Sequence, residues 1–386
     1  MDVSLELRKF VVPEFVFGAG ALRKVGRYAR NLLAKQAMVV TDNGLVQAGW
    51  VERVVDALES EGIASAVFSD VTPNPKDYEV AAGVRFYREQ DCDVIVAVGG
   101  GSPMDCAKAI GIAHANDRNI LDFGGIDEVP EPGPPLICVP TTAGSSADVS
   151  QFAIITDTSR KVKVAIISKT VVPDVSLIDP ETTVTMPAEI TAGSGLDALV
   201  HAIEAYVSNA SSPVTDLNAV AAIPLLVENL VPAIENPGDV ALRGKMMMGS
   251  LLAGMAFSNA GLGLCHAMAH SLGGLRDLPH GLCNALLSEA TVRFNYSSAP
   301  KRYDRIALAM GIGRAEGNGC DALVEALIGL RERAGIRSDL STLGVTADDV
   351  SRCARYAWDD PCLATNPREV RREEIEKLYE TALRLG

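Results

Sequence analysis

The stretch DVIVAVGGGSPMDCAKA, residues 93–109, runs a strand-forming apolar segment straight into three glycines and then into a helical pattern. DVIVAVGGG (93–101) reads as a buried strand, and CAKAIGIAHA (106–115) as the helix after it. The turn between them has a chemical use. Glycines let backbone N–H groups approach a pyrophosphate, and a helix N-terminus favours its negative charge. Ser102 reads as the N-cap, with Pro103 just inside the helix. The spacing is not GxGxxG, so a plain tight turn stands beside the nucleotide reading.

The same alternation extends outward. QAMVVTD (36–42), ASAVFSD (64–70) and PLICVPTT (135–142) read as strands, and VERVVDALESEG (51–62) and AAGVRFYREQ (81–90) as helices. Strands alternating with helices imply a parallel, doubly wound sheet. The pattern changes near residue 180, where SLIDPETTVTMPAEI carries two prolines and a threonine cluster. Beyond it the periodicity is helical, in 196–208, 219–234, 245–258, 320–335 and 373–386. The expectation is an α/β domain over 1–184 and an all-α domain over 185–386.

Composition narrows the function. Charged residues make up 22% of the 386, and the formal charge is −14, which disfavours nucleic acid and anionic lipid as partners. MDVSLELRKF has charges where a signal peptide needs an apolar core. Apolar runs such as AAIPLLVENLVPAIEN are interrupted by proline or charge, so no membrane span is expected. The eight cysteines are scattered without a CxxC pair, which fits reduced thiols in the cytoplasm.

Two further stretches bear on a nucleotide. Asp42 closes the strand 36–42, where a carboxylate can bind ribose hydroxyls and repel a 2′-phosphate, favouring NAD over NADP. In TDNG it also suits a helix cap or turn. VPTTAGSSADVS (139–150) ends another strand in a hydroxyl-rich loop, a second wall for the same crevice.

The second half concentrates imidazole. Of five histidines in the chain, three fall in HAMAHSLGGLRDLPH (266–280). Asp197 and His201 sit at i and i+4 beside an apolar stripe of Leu196, Leu199, Val200, Ile203 and Val207. His266 and His270 repeat that spacing, and His280 lies in a Pro-His-Gly turn. One aspartate with histidines is an N/O ligand set suited to Fe2+ or Zn2+. Spacing alone leaves open which of His266 and His270 binds. A lone histidine on an apolar face is ordinarily a core residue, and His114 is read that way.

These residues resemble the iron-containing (group III) alcohol dehydrogenases, a family that includes lactaldehyde reductase and 1,3-propanediol dehydrogenase. The resemblance runs from FVFGAGAL (15–22) through TDNG, TPNP (72–75), VGGGSPMDCAKA, PTTAG, GLDALVHAIEAYVS, GLGLCHAMAHSLGG and PHG to NPR (366–368). It implies a Rossmann-like α/β domain with a parallel sheet, an all-α C-terminal domain in a dehydroquinate synthase-like architecture, and a cleft between them.

Carried over by position, the resemblance makes Asp197, His201, His266 and His280 the metal ligands. His270 would stand close by without ligating, near the nicotinamide, and on chemical grounds it is the candidate to relay the proton to solvent. Cofactor contacts would come from Asp42, Asn74, Gly100, Gly101, Ser102, Asp105, Thr141, Thr142, Ser145, Ser150 and Lys163. Phe257 and Cys362 would border the nicotinamide and substrate. The implied activity is hydride transfer between a small alcohol or aldehyde and NAD, with Fe2+ (or Zn2+) on the substrate oxygen, in a homodimer or larger assembly.

The chain departs from the family in places. TTAGSSADVS replaces the common TTAGTGSE, and Phe152 stands where a polar residue is frequent. Trp358, Asp359 and Asp360 fall where the family's substrate end varies, so no substrate transfers. Other readings are a dehydroquinate synthase-like lyase, a zinc glycerol dehydrogenase and a non-catalytic NAD-binding scaffold. The lyase calls for a glutamate first ligand and a basic phosphate pocket, and neither accompanies Asp197. The intact ligand positions count against the scaffold.

Overall fold

A computed structural model describes residues 7–313 and 319–384 of the chain. The readings of residues 1–6 and 385–386 lie outside that range. Two compact units emerge: Val11–Met186 with Pro237–Met247, and Pro187–Asn236 with Met248–Gly386 and the N-terminal residues up to Phe10.

In chain order the strands are β1 (Glu14–Phe17), β2 (Gln36–Val40), β3 (Ala64–Phe68), β4 (Val94–Gly99), β5 (Gly125–Ile126), β6 (Leu136–Pro140), β7 (Phe152–Asp157), β8 (Val162–Ile167) and β9 (Val175–Ile178). The helices among them are α1 (Val25–Asn31), α2 (Asn43–Gln47), α3 (Trp50–Glu59), α4 (Asp77–Glu89) and α5 (Gly101–Asn116). Six strands form one sheet in the order β1-β9-β6-β4-β2-β3, and every pairing in it is parallel.

Side chains of β2 and β4 alternate between two cores. Met38, Val40, Ile95 and Ala97 join Val80 and Tyr87 of α4 and Met104 and Ile110 of α5. Ala37, Val39, Val94, Val96 and Val98 join Val25 and Ala29 of α1 and Val51, Val54 and Leu58 of α3. Helices therefore cover both faces, and the doubly wound expectation holds. Strand order reverses between β2 and β4, and a crevice outside the carboxyl ends of such strands is where α/β sheets take their ligands.

Part of this unit is not parallel. β7 and β8 form an antiparallel hairpin, with β5 added beside β8. Its turn is fixed by Asp157, whose Oδ1 accepts from the backbone of Ser159 at 2.9 Å and of Arg160 at 3.0 Å. Pro237–Met247 lies in the helical half of the sequence yet clusters with this unit. Buried Arg243 ties the segment down by donating to Pro237 O at 3.0 Å and to Met186 O at 3.3 Å.

The second unit is helical throughout its described residues. Its helices are α6 (Ala188–Val207), α7 (Pro213–Glu235), α8 (Val240–Ala260, from Met248), α9 (Leu264–Arg276), α10 (His280–Tyr296), α11 (Pro300–Ala309), α12 (Gly319–Arg333), α13 (Ala347–Trp358) and α14 (Arg372–Arg384). Pro224 and Pro232 do not interrupt α7, in keeping with the helical periodicity of 219–234. By length and composition alone α7 is long and apolar enough to cross a membrane, as core helices can be. One face, with Ala222, Ile223, Leu226 and Leu230, is buried, and α7 packs along α6. That packing offsets the roughly 3 kcal/mol cost of an interior proline.

Candidate metal centre and nucleotide turn

Three helices of the second unit meet at one point. Asp197 and His201 lie one turn apart on α6, His266 on the first turn of α9, and His280 opens α10. One ligand atom from each lies within 4.8 Å of all the others. From Asp197 Oδ1, His266 Nε2 and His280 Nε2 are each 3.7 Å away, and His201 Nε2 is 4.0 Å away. The approach of α10 to α6 depends on glycine. A Cβ at Gly281 would stand 2.3 Å from the carbonyl oxygen of Gly193, so no larger residue lets His280 come this near.

The residues fit a cation. Asn284, one turn beyond His280, directs Nδ2 to 2.7 Å from Asp197 Oδ1, 3.0 Å from His266 Nε2 and 3.2 Å from His280 Nε2. Three acceptors thus share one positively polarised group, while Asn284 Oδ1 is buried without a hydrogen-bond partner. The local field agrees. Burial alone would raise the Asp197 carboxyl, but His201, His280 and His266 hold it well below the carboxylate range. Burial alone would lower the His266 imidazolium, but hydrogen bonds to Asp197 and Glu204 carry it up to about 9. Both shifts favour positive charge at this point.

Support for the centre is also built in. His266 Nδ1 donates to Glu204 Oε2 at 2.6 Å, leaving Nε2 toward Asp197 Oδ1, 3.7 Å away. The same buried carboxylate accepts from the backbone of Gly263 at 3.0 Å and of Cys265 at 2.7 Å. The His201 ring stacks between those of His266, 4.5 Å away, and Phe257, 4.2 Å away. His270 is not one of the four, although its ring stacks on that of His280 at 5.2 Å. Its Nδ1 donates to Asp360 Oδ2 at 2.8 Å, and Cys362 completes that buried group. His114 packs on Tyr87 in the sheet unit and takes no part.

The spacing argument missed Glu204, Asn284 and Asp360. The first two carried a signal: Glu204 is three residues beyond His201 and Asn284 four beyond His280, each on its ligand's helix face. Asp360 follows a helix end with no periodicity to mark it.

In the sheet unit, the chain leaves β4 and enters α5 at once. Gly100, not Ser102, is the N-cap, and it makes no side-chain cap bond. The helix starts earlier than the capping rule suggests because the glycines themselves adopt the turn. Ser102 Oγ instead accepts from the backbone of Asn74 at 3.2 Å, joining TPNP to the turn. A Cβ at Gly100 would meet Thr142 at 3.0 Å, and one at Gly101 would meet Ser145 at 3.0 Å. The hydroxyl-rich loop 139–150 therefore closes on a helix N-terminus without a side-chain cap, where a pyrophosphate could be held.

The remaining expected contacts surround this turn. The backbone of buried Thr141 donates to Gly99 O at 2.9 Å. Asp42 caps α2 by accepting from Leu45 N at 3.1 Å, so one of its oxygens has the structural role weighed above. Burial pushes the Asp105 carboxyl up to about 6, against the pull of Lys108 and Lys163. Lys108, absent from the sequence reading, is buried and donates to Ser150 O at 2.8 Å and Phe152 O at 2.7 Å, pinning the loop after β6.

Comparison with known proteins bears on both units. The family model described as "Iron-containing alcohol dehydrogenase" matches residues 13–180, and that of the "Fe-containing alcohol dehydrogenase family, C-terminal" matches 191–383. The chain is 40% identical over 386 residues to the 1,3-propanediol dehydrogenase of Klebsiella pneumoniae, covering 98% of this chain and 100% of that one. It is 37% identical over 377 residues to the NAD-dependent methanol dehydrogenase of Bacillus methanolicus, covering 97% and 99%. A crystal structure of 1,3-propanediol oxidoreductase superposes with a TM-score of 0.93 at 40% identity, covering 98% of this chain and 100% of that one.

Proposed function

The chain belongs to the iron-containing alcohol dehydrogenase family, and from that premise we propose that it interconverts a small primary alcohol and its aldehyde with NAD(H). The observation that carries this is the convergence of Asp197, His201, His266 and His280 on one point. These four would hold Fe2+, and Zn2+ suits the same donors. When bound, a divalent ion supplies Lewis acidity toward an alcohol or aldehyde oxygen, and the nicotinamide accepts or supplies hydride.

The chain's own residues do the rest. Glu204 and Asn284 hold the ligand rings and carboxylate in register. His270, oriented by Asp360, moves the alcohol proton to solvent from Nε2. Phe257 and Cys362 border the reacting carbon on apolar sides and exclude water. In the sheet unit, Gly100, Gly101, Ser102, Thr141, Thr142 and Ser145 hold the pyrophosphate, while Asn74, Asp105, Ser150 and Lys163 complete the cofactor wall. The second oxygen of Asp42 takes a ribose hydroxyl and disfavours NADP.

The eight cysteines are all free, which supports a cytoplasmic setting. β1 is an edge strand with Phe15 exposed, which supports a homodimer or larger assembly. The decisive experiment is an anaerobic, Fe2+-reconstituted panel of short alcohols and aldehydes with NAD(H), followed by NADH absorbance. Net NADH formation with a primary alcohol is the expected result. Turnover of a substrate with no net NADH would instead indicate lyase chemistry.

A further inference from the structure

One buried cluster of metal-ligating side chains lies outside the four-ligand centre. His270, Asp360 and Cys362 each present a donor atom within 4.8 Å of the other two. Local structure sets where the donors stand. Asp360 caps the turn Pro361–Thr365, where its Oδ1 accepts from Cys362 N at 2.8 Å. Its Oδ2 accepts a hydrogen bond from His270 Nδ1 at 2.8 Å, and the carboxylate also hydrogen-bonds the Cys362 thiol, so it stands between ring and thiol.

We propose that His270, Asp360 and Cys362 form a second cation site, selective for Zn2+, whose occupation withdraws His270 from proton transfer. Its donor set is one nitrogen, one oxygen and one sulfur, with a fourth position left for water, the pattern of open zinc sites. Sulfur distinguishes it from the Asp197 centre, which offers nitrogen and oxygen only, and makes it the softer of the two. Zinc also binds such donors more tightly than Fe2+ does. The required movement is small. Two ligands bonded at about 2 Å with a tetrahedral angle stand roughly 3.3 Å apart, so the 2.8 Å contact opens by about half an ångström.

The protons balance. Burial keeps the Cys362 thiol protonated, and Asp360 beside it acts in the same sense. Zinc displaces that proton to solvent as the sulfur becomes thiolate. The imidazole proton passes from Nδ1 to Nε2, so that the Nδ1 lone pair faces the ion. One proton leaves per zinc, and Nε2 no longer has a lone pair for an alcohol proton. His280, its side chain 25% exposed, stacks on His270 at 5.2 Å and marks the side from which an ion enters. The inhibitory consequence rests on the proposed relay role of His270, whereas the binding does not.

The test titrates the full-length chain with Co2+ in equivalents, reading visible and near-ultraviolet spectra, NAD-linked turnover and proton release after each. The first equivalent should give d–d bands without a sulfur-to-cobalt charge-transfer band, together with activity. The second should add that charge-transfer band, release about one proton, and lower kcat by roughly 100-fold, the low end of what a positioned proton carrier contributes. With Zn2+, X-ray absorption after the second equivalent should show one Zn–S contact of about 2.3 Å. Cys362→Ala, with Cys362→Ser in reserve should the first not fold, should bind the first equivalent as the parent does and lose the second. A second equivalent without sulfur ligation, its retention in Cys362→Ala, or unchanged turnover on filling overturns the proposal. Failure of the first equivalent to bind, or no turnover with it, strikes instead at the dehydrogenase reading.

Discussion

Glu204 Oε2 lies 2.6 Å from His266 Nδ1, and both side chains are buried. The pair joins α6 to α9 through a ring proposed to ligate the metal, and it fixes which nitrogen of that ring remains available. Glu204→Gln keeps a similar shape but loses the negative charge that raises the basicity of the ring. Metal affinity should fall about 10–100-fold, the usual effect of removing such a partner. Glu204→Ala should fare worse, because the backbone N–H groups of Gly263 and Cys265 lose their acceptor at about 1–3 kcal/mol each. Competition with a chromophoric chelator measures the first effect and thermal unfolding the second. Equal metal affinity in Glu204→Gln and the parent would remove the orienting role.

His280 and His270 lie side by side, with ring centroids 5.2 Å apart, yet their removal should have opposite signatures. His280→Ala takes one ligand from four and should abolish both metal content and turnover. His270→Ala should keep stoichiometric metal and lose rate by about 10²–10⁴-fold, the range for a general acid–base group. Elemental analysis beside kcat separates the two. Stoichiometric metal and a normal rate in His280→Ala would overturn the ligand assignment.

How far the sequence alone could reach depended on whether a signal was local. β2, β3, β4 and β6 are runs of strand formers bounded by turn residues, so the parallel sheet could be read directly. β1 and β9 have four residues each, too short to carry a period, and only pairing along the sheet edge makes them strands. The hairpin β7–β8 was legible in principle, since DTSRK separates two apolar runs, but alternation elsewhere drew attention to parallel units. The candidate ligands Asp197 and His201 had local spacing on their side, and His280 a Pro-His-Gly turn. The choice between His266 and His270 did not, because both lie on one helix face and only Glu204 and Asp360, remote in sequence, divide their roles. Ser102 failed as a cap for a related reason: its hydroxyl is engaged by Asn74, 28 residues away.

Two glycines face each other where α6 meets α10, and they should respond unequally to alanine. A Cβ at Gly281 would lie 2.3 Å from Gly193 O, whereas one at Gly193 would find nothing nearer than 3.9 Å. Gly281→Ala must push α10 away, at about 1–3 kcal/mol or more of overpacking. For a unit of this size that lowers Tm by roughly 2–4 °C per kcal/mol. It also draws His280 off the centre, so metal affinity should fall with stability. Gly193→Ala should leave metal affinity unchanged and gain on the order of 0.5–1 kcal/mol from the stiffer helix. Tm and metal content of the two variants decide the matter, and similar behaviour in both would contradict the close helix contact.

Asp105 gives a pH-dependent case. Burial pushes its carboxyl up to about 6 from an unperturbed 3.8, so the folded chain holds this proton more tightly than the unfolded chain does. Its contribution to stability is therefore greatest in acid. It declines as pH rises from about 4 to about 6 and remains at the lower level above that. Asp105→Asn removes the ionisation while keeping an acceptor for the backbone of Ile154. At pH 8 the variant should be more stable than the parent by on the order of 1–3 kcal/mol, and near pH 4 the difference should vanish. Denaturant unfolding of the cofactor-free protein at the two pH values measures it. A difference of the same size at both would mean that ionisation of this carboxyl is not what strains the turn.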